Sequence, residues 1–120
     1  MAKIMIVDDE KLVRWSISSG LERDDHEVFC AQSGEEAVEK AKEADFDLVI
    51  TDFKMPGMNG AELLEQLKEL SPDTKVVVLT AYSAELSMQR AENLGASEYI
   101  EKPFLVDKIR ELVQTVLSTP

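Results

Sequence analysis

Five polar residues each follow a short apolar run of the sequence. They are the adjacent pair Asp8 and Asp9, the single aspartate Asp52, the hydroxyl of Thr80, and Lys102. Carboxylates are oxygen ligands for magnesium, and a carboxylate can also act as the nucleophile in phosphoryl transfer. If the apolar runs are parallel strands of one sheet, these residues lie along its carboxyl edge, where open α/β sheets bind ligands. The combination therefore indicates magnesium-dependent phosphorylation of an aspartate.

The elements that would position these residues alternate between short β-like runs and longer helical ones. Strands are predicted at Ile4–Val7, Glu27–Ala31, Leu48–Ile50, Val76–Leu79 and Ser97–Ile100. Helices are predicted at Leu12–Leu21, from Gly34, from about Gly60 to before Pro72, at Ala84–Leu94, and along a last apolar stripe of Leu105, Ile109, Leu112, Val113 and Val116. The central strands are continuously apolar, as expected for a parallel sheet covered on both faces. The pattern predicts an α/β fold of five βα units in a single domain over residues 1–120.

Composition excludes several classes of function. Lys and Arg total 13 against 24 Asp and Glu, which gives a net charge of −11, so direct nucleic-acid binding by this domain is not expected. Cys30 is the single cysteine, which rules out an internal disulfide or a zinc cluster, and we expect it to pack as a small buried residue. His26 is expected at the surface without a role as a ligand. No signal peptide or membrane-length apolar run is visible, so a cytoplasmic protein is predicted.

The candidate site residues each have an ordinary alternative. Adjacent carboxylates such as Asp8 and Asp9 repel each other, which a divalent cation would relieve, but the pair could also be a solvated turn before the first helix. Asp52 follows a buried strand, and no helix begins until about Gly60, so helix capping explains it poorly. Thr80 could be a simple strand end and Lys102 a solvated surface charge. Their joint position on neighbouring strands favours the functional interpretation.

Four motifs in this order resemble the receiver domain of bacterial two-component response regulators over the chain from Ile4 to about Leu117. The motifs are Val7-Asp8-Asp9-Glu10, the stretch from Thr51 to Gly60, Thr80-Ala81, and the stretch from Tyr99 to Phe104. The resemblance implies a flavodoxin-like, doubly wound sheet with strand order 2-1-3-4-5. A weaker resemblance, in Arg14-Trp15-Ser16, is to receivers of nitrogen-regulator-type transcription activators.

The resemblance also implies residue roles. Asp52 matches the position of the family's phosphoacceptor. The family's Mg²⁺ ligands are matched by Asp9, Asp52 and the backbone carbonyl of Lys54, and Asp8 would act largely through water. Thr80 and Tyr99 are similar to the pair that moves after phosphorylation. Lys102 is similar to the lysine that pairs first with the aspartate and then with the phosphoryl group, and its bond to Pro103 is expected to be cis.

Partners follow from the same resemblance. A sensor histidine kinase would supply the phosphoryl group, and an effector domain or a receiver homodimer would read the result. Trp15, predicted to be partly exposed, is a candidate contact for the kinase. Leu86, Arg90 and Glu111 are candidates on the face formed by the fourth helix, fifth strand and last helix.

Two other functions stay open from the sequence. A magnesium-dependent phosphatase of the haloacid dehalogenase type also uses an aspartate nucleophile, but it normally has a second aspartate two residues later, where this chain has Lys54. A receiver-like module that no longer accepts phosphate usually lacks one of the acids or the lysine. The favoured prediction is a switch that catalyses only its own phosphorylation and dephosphorylation and turns over no metabolite.

Overall fold

A computed structural model describes residues 2–81 and 95–118 of the protein. Its strands are β1 (Lys3–Val7), β2 (Glu27–Ala31), β3 (Leu48–Asp52), β4 (Lys75–Ala81) and β5 (Glu98–Lys102), and its helices are α1 (Lys11–Glu22), α2 (Gly34–Glu43), α3 (Gly60–Leu70) and α4 (Val106–Ser118). The strands form one parallel sheet in the order β2-β1-β3-β4-β5, which confirms the predicted topology. The helix predicted at Ala84–Leu94 lies outside the described residues, as do Leu86 and Arg90.

The sheet is covered on both faces, because successive strand residues point to opposite sides. Met5 and Val7 of β1 belong to the core beneath α2 and α3. Ile4 and Ile6 belong to the core beneath α1 and α4. Both sets are completely buried, which explains why the central strands are apolar without interruption.

Helix boundaries follow recognisable caps. The Ser33 side chain accepts a hydrogen bond of 3.1 Å from the Glu36 N–H and so caps α2, which begins at the predicted Gly34. Asn59 begins α3 through a reciprocal capping box with Glu62. None of the helices within the described residues has the length and apolar character needed to cross a membrane.

Two predictions of burial were wrong. Cys30 is exposed because β2 is an edge strand, with a neighbouring strand on one side only, and most of its residues are only partly buried or exposed. Leu105 is 71% exposed, because it precedes α4 and is not part of the helix's buried stripe. Only its backbone carbonyl contributes to the helix, by accepting hydrogen bonds from the N–H groups of Lys108 and Ile109.

The register of the sheet brings the candidate residues to one edge. Val7 pairs with Thr51, so the next residues, Asp8 and Asp52, occur at the same height on neighbouring strands. On the other side of β3, Asp52 pairs with Leu79 of β4. Lys102 pairs with Ala81, two residues farther along, and its long side chain can reach back toward the aspartates. Strand pairing alone therefore places both carboxylates and the ammonium within reach of each other.

Candidate functional site

The three aspartates form one cluster at the carboxyl edge. Asp8, Asp9 and Asp52 each offer a carboxylate oxygen, and these oxygens all lie within 4.8 Å of one another. The first and third are buried, whereas Asp9 is exposed at the mouth of the site. Asp8 is thus not the solvated turn residue that the ordinary interpretation of the pair required.

Lys102 neutralises only part of this charge. Its Nζ lies 3.2 Å from Asp8 Oδ2 and 3.4 Å from Asp52 Oδ2, and the Lys102 side chain is only 18% exposed. Glu10 Oε1 is 4.0 Å away on the solvent side. One ammonium therefore serves two buried carboxylates.

The pKa values reflect this imbalance. Burial raises the pKa of Asp52 from 3.8 to about 6, and the neighbouring Asp8 adds to the increase, while Lys102 and a backbone hydrogen bond from Lys54 oppose it. Burial alone would lower the pKa of Lys102, but the two carboxylates outweigh burial and raise it. The charged lysine is thus favoured, and the second buried carboxylate lacks a full counter-charge.

A hard divalent cation fits the donors present. Three carboxylates with unbalanced negative charge and closely spaced oxygens are the ligand type that Mg²⁺ accepts, with water completing its shell. Asp9 offers an accessible carboxylate, and Asp52 offers a buried one at the end of a central strand. The backbone carbonyl of Lys54, two residues after Asp52, is a further oxygen donor. The donor set is therefore chemically suited to the cation that the sequence predicted.

Asp8 is fixed in place by hydrogen bonds at both backbone and side chain. Its N–H donates to the Ala31 carbonyl at 3.2 Å, and its carbonyl accepts from Arg14 Nη1 at 2.7 Å. Its Oδ1 accepts from the Glu10 N–H at 2.8 Å. Sequence reasoning missed the contribution of Arg14, although its place one helical turn after Glu10 could have suggested that it reaches back to the strand end.

Thr80 and Tyr99 lie on the neighbouring strands β4 and β5. Thr80 is buried near the end of β4 and pairs in register with Glu101, while Val78 pairs with Tyr99. Tyr99 is partly buried and packs against the core beneath α2 and α3. The Lys102–Pro103 peptide bond is cis, as expected.

The candidate contact residues are more scattered. Trp15 is 66% exposed on α1, which confirms its predicted exposure. Glu111 is exposed on α4 and pairs with Lys108 at 3.9 Å. Sequence reasoning missed two further exposed apolar side chains, those of Leu12 on α1 and Leu105 just before α4.

Comparison with known proteins places the chain in a family. The response regulator receiver domain matches residues 4–114, and the chain therefore belongs to the receiver domains of two-component response regulators. Receiver domains are phosphorylation-controlled signalling switches, and the cluster of Asp8, Asp9 and Asp52 fits the Mg²⁺-dependent phosphorylation site of the family.

Individual relatives agree in fold but differ in length. The chain is 34% identical to sporulation initiation phosphotransferase F of Bacillus subtilis over 115 residues, 96% of this chain and 93% of that protein. It is 30% identical to the DNA-binding transcriptional regulator NtrC of Azospirillum brasilense, of which it covers 24%. The solved structure of the chemotaxis protein CheY4 of Vibrio cholerae is similar with a TM-score of 0.91 and 33% identity, covering 97% of this chain and 98% of that one. The chain spans about half the length of several transcriptional regulatory proteins that it matches.

Proposed function

We propose that the protein accepts a phosphoryl group on Asp52 in a Mg²⁺-dependent reaction and thereby changes a partner-binding face. The observation that carries this proposal is the position of Asp52, a buried carboxylate at the end of a central strand, within 3.4 Å of the Lys102 ammonium and grouped with Asp8 and Asp9. An aspartate can be the nucleophile of phosphoryl transfer, and a lysine can balance the charge of the transferred group.

The proposed reaction is a displacement at phosphorus. An Asp52 carboxylate oxygen attacks the phosphorus of the donor and forms an acyl phosphate, while the bond to the donor atom breaks and its electron pair leaves with the donor. In a sensor histidine kinase that donor atom is an imidazole nitrogen. Lys102, paired with Asp52 beforehand, pairs with the new phosphoryl oxygens afterwards.

Asp9, Asp52 and the Lys54 backbone carbonyl would hold Mg²⁺, and Asp8 would contact it largely through water. When bound, the cation neutralises negative charge on the phosphoryl oxygens. Asp8 is already committed to the Glu10 N–H and the Lys102 ammonium, which supports an indirect role.

Thr80 and Tyr99 are the proposed reporters of phosphorylation. The Thr80 hydroxyl would donate to a phosphoryl oxygen, and the Tyr99 ring, which is only partly buried, would turn inward. Glu111 is proposed to lie on the face that would change, and Leu86 and Arg90, which lie outside the described residues, are proposed for the same face from the family resemblance alone. An effector domain or a second receiver would bind there, while direct contact with nucleic acid is not proposed for this acidic domain.

Trp15 is proposed to contact the histidine kinase. It is exposed on α1, whose first residues border an open groove of about 500 Å³ lined also by Lys102 and Phe104. A partner seated there would lie beside the lysine of the site. We place a single receiver domain over residues 1–120, with turnover confined to its own phosphorylation and dephosphorylation.

Acetyl phosphate tests the proposal without the kinase. Wild-type protein with Mg²⁺ should gain one phosphoryl group by intact mass, and the gain should disappear in Asp52→Asn and in excess EDTA. Asp73→Asn is the matched control and should react like wild type, because Asp73 is exposed and precedes the amino end of β4, at the opposite edge of the sheet from the site. A wild-type protein that gains nothing would contradict the switch, and continuous release of phosphate over many turnovers would favour a phosphatase instead.

A further inference from the structure

The segment that follows Asp52, residues 53–59, is the β3–α3 loop. Its base is closed by two backbone hydrogen bonds of 2.8 Å, from the Phe53 N–H to the Leu79 carbonyl and from the Gly60 N–H to the Phe53 carbonyl. Between the base and the far end of the loop lies Lys54, whose backbone hydrogen-bonds to the Asp52 carboxylate. The position of the loop therefore bears directly on the site.

The far end of the loop is held by a side chain from another helix. Glu35, in the first turn of α2, accepts a hydrogen bond of 3.1 Å at Oε2 from the Met58 N–H. The two residues are 23 positions apart in sequence. A carboxylate is well placed in the first turn of a helix because it complements the positive end of the helix dipole.

Two glycines allow this close approach. A Cβ on Gly34 would lie 2.9 Å from the Met58 Cβ, so the loop rests directly on the start of α2. Gly57 has a φ of 75°, and a Cβ there would lie 2.8 Å from Glu35 Oε2. The Met58 side chain also packs against the core beneath α2 and α3. Backbone, side chain and carboxylate thus meet at one contact between the loop and α2.

We propose that Glu35 is a positioning residue for the phosphoryl site, which holds the β3–α3 loop through the Met58 N–H and so keeps the Lys54 backbone in place beside Asp52. This inference rests on the proposed function, since the site to be positioned is the proposed Mg²⁺ and phosphorylation site. Without this hydrogen bond, the loop keeps the backbone bonds at its base and the packing of the Met58 side chain, but the Met58 backbone loses its polar contact with α2. The Lys54 carbonyl would then occupy a wider range of positions. Cation affinity and phosphorylation rate would both fall.

Three variants separate the hydrogen bond from charge. Glu35→Ala removes the acceptor, and Glu35→Gln keeps an acceptor oxygen without the charge. Glu39→Ala removes an equal charge one helical turn after Glu35. Glu39 is exposed and, in the described part of the chain, is paired only with Lys42 at 3.6 Å. Three measurements apply to each full-length variant. They are amide hydrogen exchange of Met58 by NMR, the Kd of Mg²⁺ by calorimetry, and the rate of modification by acetyl phosphate.

Glu35→Ala should speed exchange at Met58 and weaken Mg²⁺ binding by roughly two- to tenfold, the range for one lost hydrogen bond. The phosphorylation rate at limiting Mg²⁺ should fall by a similar factor. Glu35→Gln should restore most of each loss, and Glu39→Ala should resemble wild type.

The positioning role is refuted if Glu35→Ala matches Glu39→Ala in Mg²⁺ affinity, or if Glu35→Gln is as impaired as Glu35→Ala. The second result would show that charge, not the hydrogen bond, is responsible. If wild-type protein binds Mg²⁺ but takes up no phosphoryl group, the proposed function fails while the Mg²⁺ comparison still decides the role of Glu35. If wild type is phosphorylated and all variants behave alike, the positioning role fails alone.

Discussion

Replacing Asp52 by asparagine is expected to stabilise the folded protein in metal-free buffer near neutral pH. The Asp52 carboxylate is buried beside Asp8, and both depend on the single ammonium of Lys102. Asparagine has nearly the same shape, and its amide oxygen can still accept from Lys102. The substitution therefore removes an incompletely balanced buried charge without leaving a cavity.

The magnitude follows from the pKa of Asp52, which burial chiefly raises from 3.8 to about 6. Each pKa unit is worth ~1.4 kcal/mol, so the ionised form costs the folded state up to ~3 kcal/mol. Partial access of solvent to the carboxylate screens this cost, and we expect a gain of ~1–2 kcal/mol for the variant. For a domain of this size the gain corresponds to a Tm increase of about 4–8 °C.

The sign of the pH dependence is determined by the same values. Between about pH 4 and pH 6 the folded state binds the Asp52 proton more tightly than the unfolded state does, so this group's contribution to stability falls as pH rises through that window. The advantage of Asp52→Asn should be complete above pH 7 and should shrink as pH falls toward 4.

Urea unfolding followed by circular dichroism, in EDTA at pH 7.5 and pH 4.5, measures both effects. Asp73→Asn, which removes one exposed carboxylate, is the control for the change in net charge. If Asp52→Asn gains no more than Asp73→Asn at pH 7.5, or gains equally at both pH values, the buried charge is not unbalanced and the reasoning about the site is wrong.

Three further changes test other parts of the structure. Arg14→Ala removes the 2.7 Å hydrogen bond to the Asp8 carbonyl and should lower the free energy of unfolding by about 1 kcal/mol in urea titrations, with Arg14→Lys partly restoring it. Asp24→Asn breaks a bidentate pair with Arg110, with distances of 2.7 and 3.0 Å, that joins the end of α1 to α4. Arg110 lowers the pKa of Asp24 below its usual 3.8, so the pair stabilises the folded protein above that pH. The urea midpoint of the variant should therefore be below that of wild type at pH 7, and the two should converge as pH falls below the pKa of Asp24. Equal midpoints at pH 7 would contradict this. Leu67→Ala, at a completely enclosed site beneath the sheet, should cost about 2–5 kcal/mol by the same assay, and a loss under 1 kcal/mol would show that the core there is loosely packed.

Much of the fold could be predicted because it depends on local patterns. Continuous apolar strands alternating with amphipathic helices predicted the parallel sheet, and the resemblance to receiver domains implied its strand order. Boundaries were less accurate at the carboxyl ends, where β3 and β4 extend to Asp52 and Ala81. Polar residues there look like loop residues in sequence, although strand pairing continues through them.

The candidate site was predictable in its residue types but not in its balance of charge. The sequence determined which strands end in carboxylates and which in a lysine, since these are properties of single positions next to apolar runs. Only the tertiary structure decided that Asp8 is enclosed, that Lys102 contacts a carboxylate 94 residues away as well as Asp52, and that Cys30 is exposed on an edge strand. The hydrogen bond from Met58 to Glu35 belongs to the same group. These contacts join distant parts of the chain, and they depend on strand register and side-chain direction, which exist only once the sheet and its two layers of helices have formed.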